Sequence, residues 1–371
     1  MKILISTDQI YLHGGIEKFM ATKVNFWVHQ PGVEVYILTT EQQGHPPCYP
    51  IDPKVTLLEL GVDYDRSQSY FSWKNLKKAL VHYRRQKAVL QKIQPDVVIS
   101  PNFNFDHYWL PWIKGKSKLI KERHASRYQE PEQRRKASFI QKLKWKLTDA
   151  VESQYDHIVV LNETEATYVT TGNAVVIPNP IEASPFRANP KTQQVMAAGR
   201  MAPVKNFKAL IEAWALLYSQ FPDWQLHLYG EDYGGMQQAL EEVIHQKGLT
   251  EVVQFKGSVP ILTEAMQDYS LYALSSETEC FPMVLLEALS VGLPIVSFDC
   301  PNGPRHIITP DEDGLLAKHL DISDLSRQLM YLMENESLRV KMSQQAIENS
   351  QRFNTVSVMK AWQKLLDLSD V

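Results

Sequence analysis

Short β-branched runs alternate with helical patterns along almost the whole chain, and this alternation leaves few architectures open. Residues 2–7 (KILIST), 33–40, 54–60, 96–100, 118–122, 157–161 and 174–178 have the length and composition of strands. Helical patterns fill 16–29 and 73–93 between them. Strands separated by helices argue for parallel sheets covered by helices. Residues 179–192 (NPIEASPFRANPKT) carry three Pro and almost no periodicity, which marks a linker. A second series follows, with strands predicted at 194–199, 224–230, 252–257, 271–276 and 295–298 and helices near 206–220 and 234–246. Helical patterns then fill most of 321–368. At 371 residues the chain is too long for one ordinary doubly wound core. The expected fold class is α/β, with two Rossmann-like doubly wound domains facing across a cleft. Residues 1–178 form the first and 179–353 the second, and a terminal helix within 354–371 returns to brace the first.

A chain with 44% hydrophobic and 22% charged residues is a globular protein, and a net charge of −3 gives no global case for nucleic acid as a partner. Cys48, Cys280 and Cys300 are odd in number and widely spaced, which fits a reduced, cytoplasmic protein and no metal pair. The opening MKILISTDQ reads as a strand rather than a signal peptide. No run approaches the roughly 18 apolar residues of a spanning helix.

Residues 275–299, SSETECFPMVLLEALSVGLPIVSFD, run from a polar loop into a short helix opening at Pro282 and stopped by Gly292 and Pro294. The backbone amides at the start of such a helix lack intrahelical partners and suit a phosphate. Glu279 precedes the helix and Glu287 lies in its second turn, so one carboxylate can face a ligand while the other reaches its flank. Read alone, the segment fits equally an amphipathic helix with two solvated glutamates. Arg200 and Lys205 fall in a loop between strand and helix, where two cations would neutralise a diphosphate, although loop cations are commonly only solvated. His13, Gly14, Gly15, Ile16 and Glu17 lie between the first strand and first helix, either as a ligand-approaching loop or as a tight turn. His124 follows a strand and is open to a structural or a cleft-facing role, and Asn179 is open to a turn-forming one.

ECFPMVLLEALSVGLPIV resembles the Glu-x7-Glu segment of retaining, family-4 type nucleotide-sugar glycosyltransferases (glycosyltransferases group 1, GT-B fold). GRMAPVKNF resembles that family's Gly-Arg loop with its downstream Lys-Asn, and the His13–Glu17 loop, His124, Asn179 and FDCPNGPRHIITPDEDGLLA fall where the family has similar features. The resemblance implies transfer of a hexose or N-acetylhexosamine from a nucleotide diphosphate, UDP-linked, to a hydroxyl of a glycan or lipid-linked acceptor, with retention, in cell-surface glycan or glycolipid biosynthesis. It implies catalytic roles for His124, Glu279, Arg200 and Lys205. Gly14, Gly15, Asn179, Cys280, Phe281, Pro282, Met283, Val284 and Glu287 would bind the donor, with Glu287 on the ribose. Cys280 stands where the family often has Gly, and no Cys-His pairing marks it as a nucleophile.

No cofactor and no metal are expected; the Asp63/Asp65 and Asp311/Asp313 triplets read as loop and turn. A nucleotide-sugar epimerase or hydrolase, or a non-catalytic sugar-nucleotide binding protein, could use the same features. Residues 132–149 set Arg134, Arg135, Lys136, Lys142, Lys144 and Lys146 beside Phe139, Ile140, Leu143, Trp145 and Leu147. This is the pattern of one interfacial helix on an anionic membrane, at the inner face of the cell membrane, or of a surface helix packed on its own domain.

Overall fold

The structure is a computed structural model and describes residues 1–69, 71–101 and 104–368. The chain divides into two compact units, Met1–Pro178 with a return segment from Val358, and Asn179–Ser357.

In the first unit, β1 (Lys2–Thr7), β2 (Glu34–Thr39), β3 (Thr56–Glu59), β4 (Val97–Ser100), β5 (Lys118–Glu122), β6 (His157–Val160) and β7 (Ala174–Val176) form a parallel sheet in the order β3-β2-β1-β4-β5-β6-β7. The middle strands β1 and β4 are buried almost throughout, which is why they are near-continuous Val, Ile and Leu rather than alternating. Helix Gly15–Trp27 covers one face together with helix Thr355–Leu365, which arrives from the far end of the chain. Trp27 and Trp362 meet edge to face there, with ring centroids 5.7 Å apart.

In the second unit, β8 (Gln194–Ala198), β9 (Gln225–Tyr229), β10 (Val253–Gly257), β11 (Leu271–Leu274), β12 (Ile295–Phe298) and β13 (Gly314–Ala317) form a parallel sheet in the order β10-β9-β8-β11-β12-β13. Strand β13 goes beyond the sequence expectation, which read only a turn at Asp311–Asp313. It is four residues long, too short to show a period. Its register depends on Gly314, where a Cβ would lie 2.5 Å from the Ile295 carbonyl oxygen on β12. In each sheet the strand order reverses beside the first strand, between β1 and β4 and between β8 and β11. Open α/β sheets bind ligands outside the carboxyl ends of the strands at such a reversal.

Two local expectations change. The helix of the central stretch is Met283–Val291, with Pro282 as its N-cap in extended conformation rather than its first residue. Residues 132–149 are two helices, Glu130–Lys136 and Phe139–Glu152, because Ala137 is extended and Ser138 begins the second helix with a capping box to Gln141. The aspartate triplets are tied into local structure. Asp65 accepts hydrogen bonds from Ser67 and Lys74, and Asp313 accepts them from the Thr309 amide and Asn349.

Candidate active site

The loops that follow β8 and β11 are neighbours because these two strands pair, although about 70 residues separate them in sequence. Pro203–Lys205 forms a single 3-10 turn in the first loop, and Asn206, left-handed, caps the next helix by accepting from the Ala209 amide. The second loop is stitched to it at three points. The Glu277 amide donates to the Val204 carbonyl at 2.8 Å, the Ser275 hydroxyl donates to the Lys205 carbonyl at 3.0 Å, and the Lys205 ammonium donates to Glu279 Oε1 at 2.6 Å. Ser276 Oγ donates to the same carboxylate oxygen at 2.7 Å. Both charged side chains are mostly withdrawn from water, with side-chain exposures of 24% for Lys205 and 12% for Glu279, so their attraction is screened less than that of a surface pair.

Two glycine contacts set the loop paths, and sequence reasoning passed over both. Gly230, at the end of β9 with φ 138°, lies so close to the first loop that a Cβ there would sit 1.9 Å from the Gly199 carbonyl oxygen. Gly303 packs against the second loop, where a Cβ would come within 2.7 Å of the Glu279 Cβ and 2.8 Å of the Pro282 Cδ. Glu279 also bridges to Asn302, which adopts φ 75°. The Asn-Gly pair in CPNGP was the available signal, since such pairs mark tight backbone turns.

Helix Met283–Val291 opens beside this pair without a side-chain cap, so its first amides are available to an anion. Arg200 is exposed at the loop surface, its guanidinium 5.7 Å from the Tyr233 ring centroid. Glu287 is buried one helical turn further in. The Tyr272 phenol, fixed by hydrogen bonds with the backbone of Ala198, is pushed well above its ordinary range by burial and by the charges of Glu279 and Glu287. Cys280 and Phe281 turn inward; the Phe281 ring meets Phe353 edge to face at 5.5 Å. Pro282 is buried and Met283 and Val284 are half-buried at the helix start. Asn179 is buried too, and its side-chain oxygen has no hydrogen-bond partner.

The remaining candidates belong to the first unit. Gly14 caps helix Gly15–Trp27 in extended conformation, and a Cβ there would meet the Glu17 carboxylate at 2.3 Å. Gln9 holds the other Glu17 oxygen at 2.8 Å. His124 lies just past β5, with Nε2 at 3.0 Å from Glu122 Oε2 and the ring edge-on to Phe19. The other Glu122 oxygen pairs with Lys23, which is fully buried between the rings of Phe19 and Trp362. Sequence reasoning found His124 but not this Lys23-Glu122-His124 chain, because nothing local marks a buried lysine in a helix. Among the described residues, no group of three or more His, Cys, Asp and Glu side chains is arranged to hold a metal ion.

Two parallel α/β domains with their site loops at the strand-order reversal define the GT-B class of fold. HepE of Anabaena, solved in complex with UDP, has it: TM-score 0.77, 17% sequence identity, covering 99% of this chain and 100% of that one. Within the chain, residues 180–349 match the model of the family Glycosyl transferases group 1. An uncharacterized glycosyltransferase of Haemophilus influenzae is 28% identical over 217 residues, which are 57% of this chain and 61% of that protein. The amylovoran biosynthesis glycosyltransferase AmsD of Erwinia amylovora is 29% identical over 227 residues, 57% of this chain and 62% of its own. The chain thus spans less than two thirds of the length of these curated relatives.

Proposed function

We propose that the chain is a retaining glycosyltransferase that moves a hexose or N-acetylhexosamine from a UDP-sugar to a hydroxyl of a glycan or lipid-linked acceptor in cell-surface glycan biosynthesis. The observation that carries this reading is the Lys205-Glu279-Ser276 cluster at the β8/β11 reversal, beside an uncapped helix start. The amides of Met283 and Val284 with Lys205 and Arg200 take the diphosphate and stabilise its charge as the sugar leaves, which is electrostatic catalysis that requires no metal. Glu279 accepts hydrogen bonds from the sugar hydroxyls, Glu287 serves the ribose, and Asn179 with the backbone of 280–284 completes the donor site. His124 and the Gly14–Gly15 turn serve the transferred sugar from the first domain. Support for UDP comes from the HepE complex and for a biosynthetic acceptor from the name of the Erwinia relative, an amylovoran biosynthesis glycosyltransferase.

The first domain also meets an anionic membrane surface through helix Phe139–Glu152. Phe139, Ile140, Leu143 and Leu147 are exposed there, from 84% down to 57%, and Lys142, Lys144 and Lys146 are exposed beside them. Arg134 plays no part in that surface, since it is turned to Asp149 and Glu130. Among the described residues no helix is long and apolar enough to cross a membrane.

A panel of nucleotide sugars tests the function by thermal shift and by release of UDP. The expected result is stabilisation by UDP and its sugars, with turnover that rises on adding a glycan acceptor. UDP release independent of acceptor identifies a hydrolase; without UDP release, conversion of the bound nucleotide sugar identifies an epimerase and binding alone a carrier.

A further inference from the structure

We propose that the pocket beside His124 in the first domain binds a phosphate group carried by the acceptor. That the carrier is an acceptor rests on the glycosyl-transfer reading above; the phosphate site itself rests on the pocket.

The pocket measures about 130 Å³ and is lined by Lys121, Arg123, His124 and Arg127, together with Glu122 and the apolar Ile16, Pro101 and Ala125. A water occupies about 30 Å³, so the space suits a tetrahedral anion and a few waters rather than a second protein segment. Three of the neighbouring carboxylates have close cations, and a fourth, Glu165, accepts the Arg127 backbone amide. Glu122 is paired with Lys23, Glu152 with Arg123, and Glu130 with Arg134 at 2.8 Å, whereas Arg127 reaches Glu130 only at 3.6 Å. Arg123 is 5% exposed and its Nε has no hydrogen-bond partner. Lys121, 1% exposed, lies 3.1 Å from His107 Nδ1.

Burial draws the Lys121 ammonium down to about 8; Glu152 and Asp106 oppose this, and Arg123 and Arg127 add to it more weakly. Burial, with Lys121, Arg123 and Arg127, draws the His107 imidazole down to about 2. Charge-assisted hydrogen bonds from guanidinium groups are the strongest contacts a phosphate makes. The nucleotide's own diphosphate finds its cations in Arg200 and Lys205 of the second domain, which leaves the acceptor as the source of this phosphate.

The test uses inorganic phosphate as the probe, at constant ionic strength, with and without saturating UDP, on wild type, Arg127→Gln, Arg127→Lys and Lys121→Met. In wild type, phosphate raises Tm beyond the rise due to UDP. Arg127→Gln binds phosphate about tenfold more weakly, the loss expected for one charge-assisted contact, while its UDP shift is unchanged. Arg127→Lys recovers part of the loss, and Lys121→Met weakens phosphate as Arg127→Gln does. With acceptors, Arg127→Gln raises KM for a phosphate-bearing acceptor and not for a neutral glycan. A wild type that shifts with UDP but not with phosphate, or a phosphate shift untouched in every variant, overturns the pocket and leaves glycosyl transfer standing. A phosphate shift abolished by saturating UDP assigns the pocket to the nucleotide and overturns the acceptor. A phosphate shift with no UDP shift keeps the pocket and defeats the transferase reading.

Discussion

The Lys205 ammonium lies 2.6 Å from Glu279 Oε1, so two groups assigned to adjoining parts of a sugar nucleotide, its diphosphate and its sugar, are ion-paired with each other. A diphosphate therefore competes with Glu279 for Lys205, and a sugar hydroxyl competes with Lys205 for Glu279.

Glu279→Gln removes the charge and keeps the shape. It is expected to leave UDP affinity equal or slightly tighter, because Lys205 is released, while sugar transfer falls about 5- to 150-fold through loss of about 1 to 3 kcal/mol at the sugar hydroxyls. Titration calorimetry with UDP beside initial rates checks this. Loss of UDP binding would show that the pair holds the loop rather than the donor.

Arg200→Ala combined with Lys205→Ala is expected to weaken UDP far more than uridine, since only the diphosphate meets these cations. Parallel losses for both ligands would remove the diphosphate assignment.

The Lys23-Glu122 pair makes a pH prediction. Burial alone would raise the Glu122 carboxyl, but Lys23 and His124 outweigh it and hold it at about 2, against an ordinary 4.5. A carboxylate whose folded value is depressed stabilises the fold above the unfolded value and loses that contribution as pH falls toward the folded one. Stability of the wild type should thus decline between about pH 4.5 and 2, and Glu122→Gln should flatten that segment of the curve. At pH 7 Glu122→Gln leaves Lys23 buried without its counterion, at a cost of about 3 to 5 kcal/mol, whereas adding Lys23→Met recovers much of the loss. Denaturant melts across the pH series measure both effects.

Gly230→Ala tests the close approach of the loops. With φ 138° and 1.9 Å to the Gly199 oxygen, the substitution is expected to destabilise the second domain by more than about 1 kcal/mol and to weaken UDP binding by displacing Arg200. A variant of wild-type stability and affinity would show that this loop yields freely.

Lys142→Gln, Lys144→Gln and Lys146→Gln together should abolish binding to anionic liposomes, given about 1 kcal/mol for each cation near such a surface. Sedimentation with anionic and neutral vesicles at low and high salt measures it, and absence of binding by the wild type would point to a water-soluble acceptor.

Local features were legible without coordinates. All strands but β13, most helices, the Pro-rich 179–192 segment and the loop positions of Arg200, Lys205, Glu279 and His124 follow from periodicity, Pro and Gly placement and strand-to-helix transitions, all of which act over a few residues. The break at Ala137–Ser138 was written in the sequence as well, but a Ser followed three residues later by Gln was overshadowed by the run of cations around it.

Strand order is a different kind of quantity. It depends on which helices pack where, so no local pattern could set β8 beside β11 or bring Lys205 to Glu279 across 74 residues. The same holds for Trp362, which meets Trp27 only because the last helix returns to the first sheet, and for Lys23, whose burial is tolerable only once β5 supplies Glu122. By itself the sequence determined which residues stand at strand ends and helix starts, because backbone sterics and hydrophobic period are read locally. Tertiary structure alone decided which of them share a carboxylate, an ammonium or a pocket, because those contacts exist only after distant strands have chosen their neighbours.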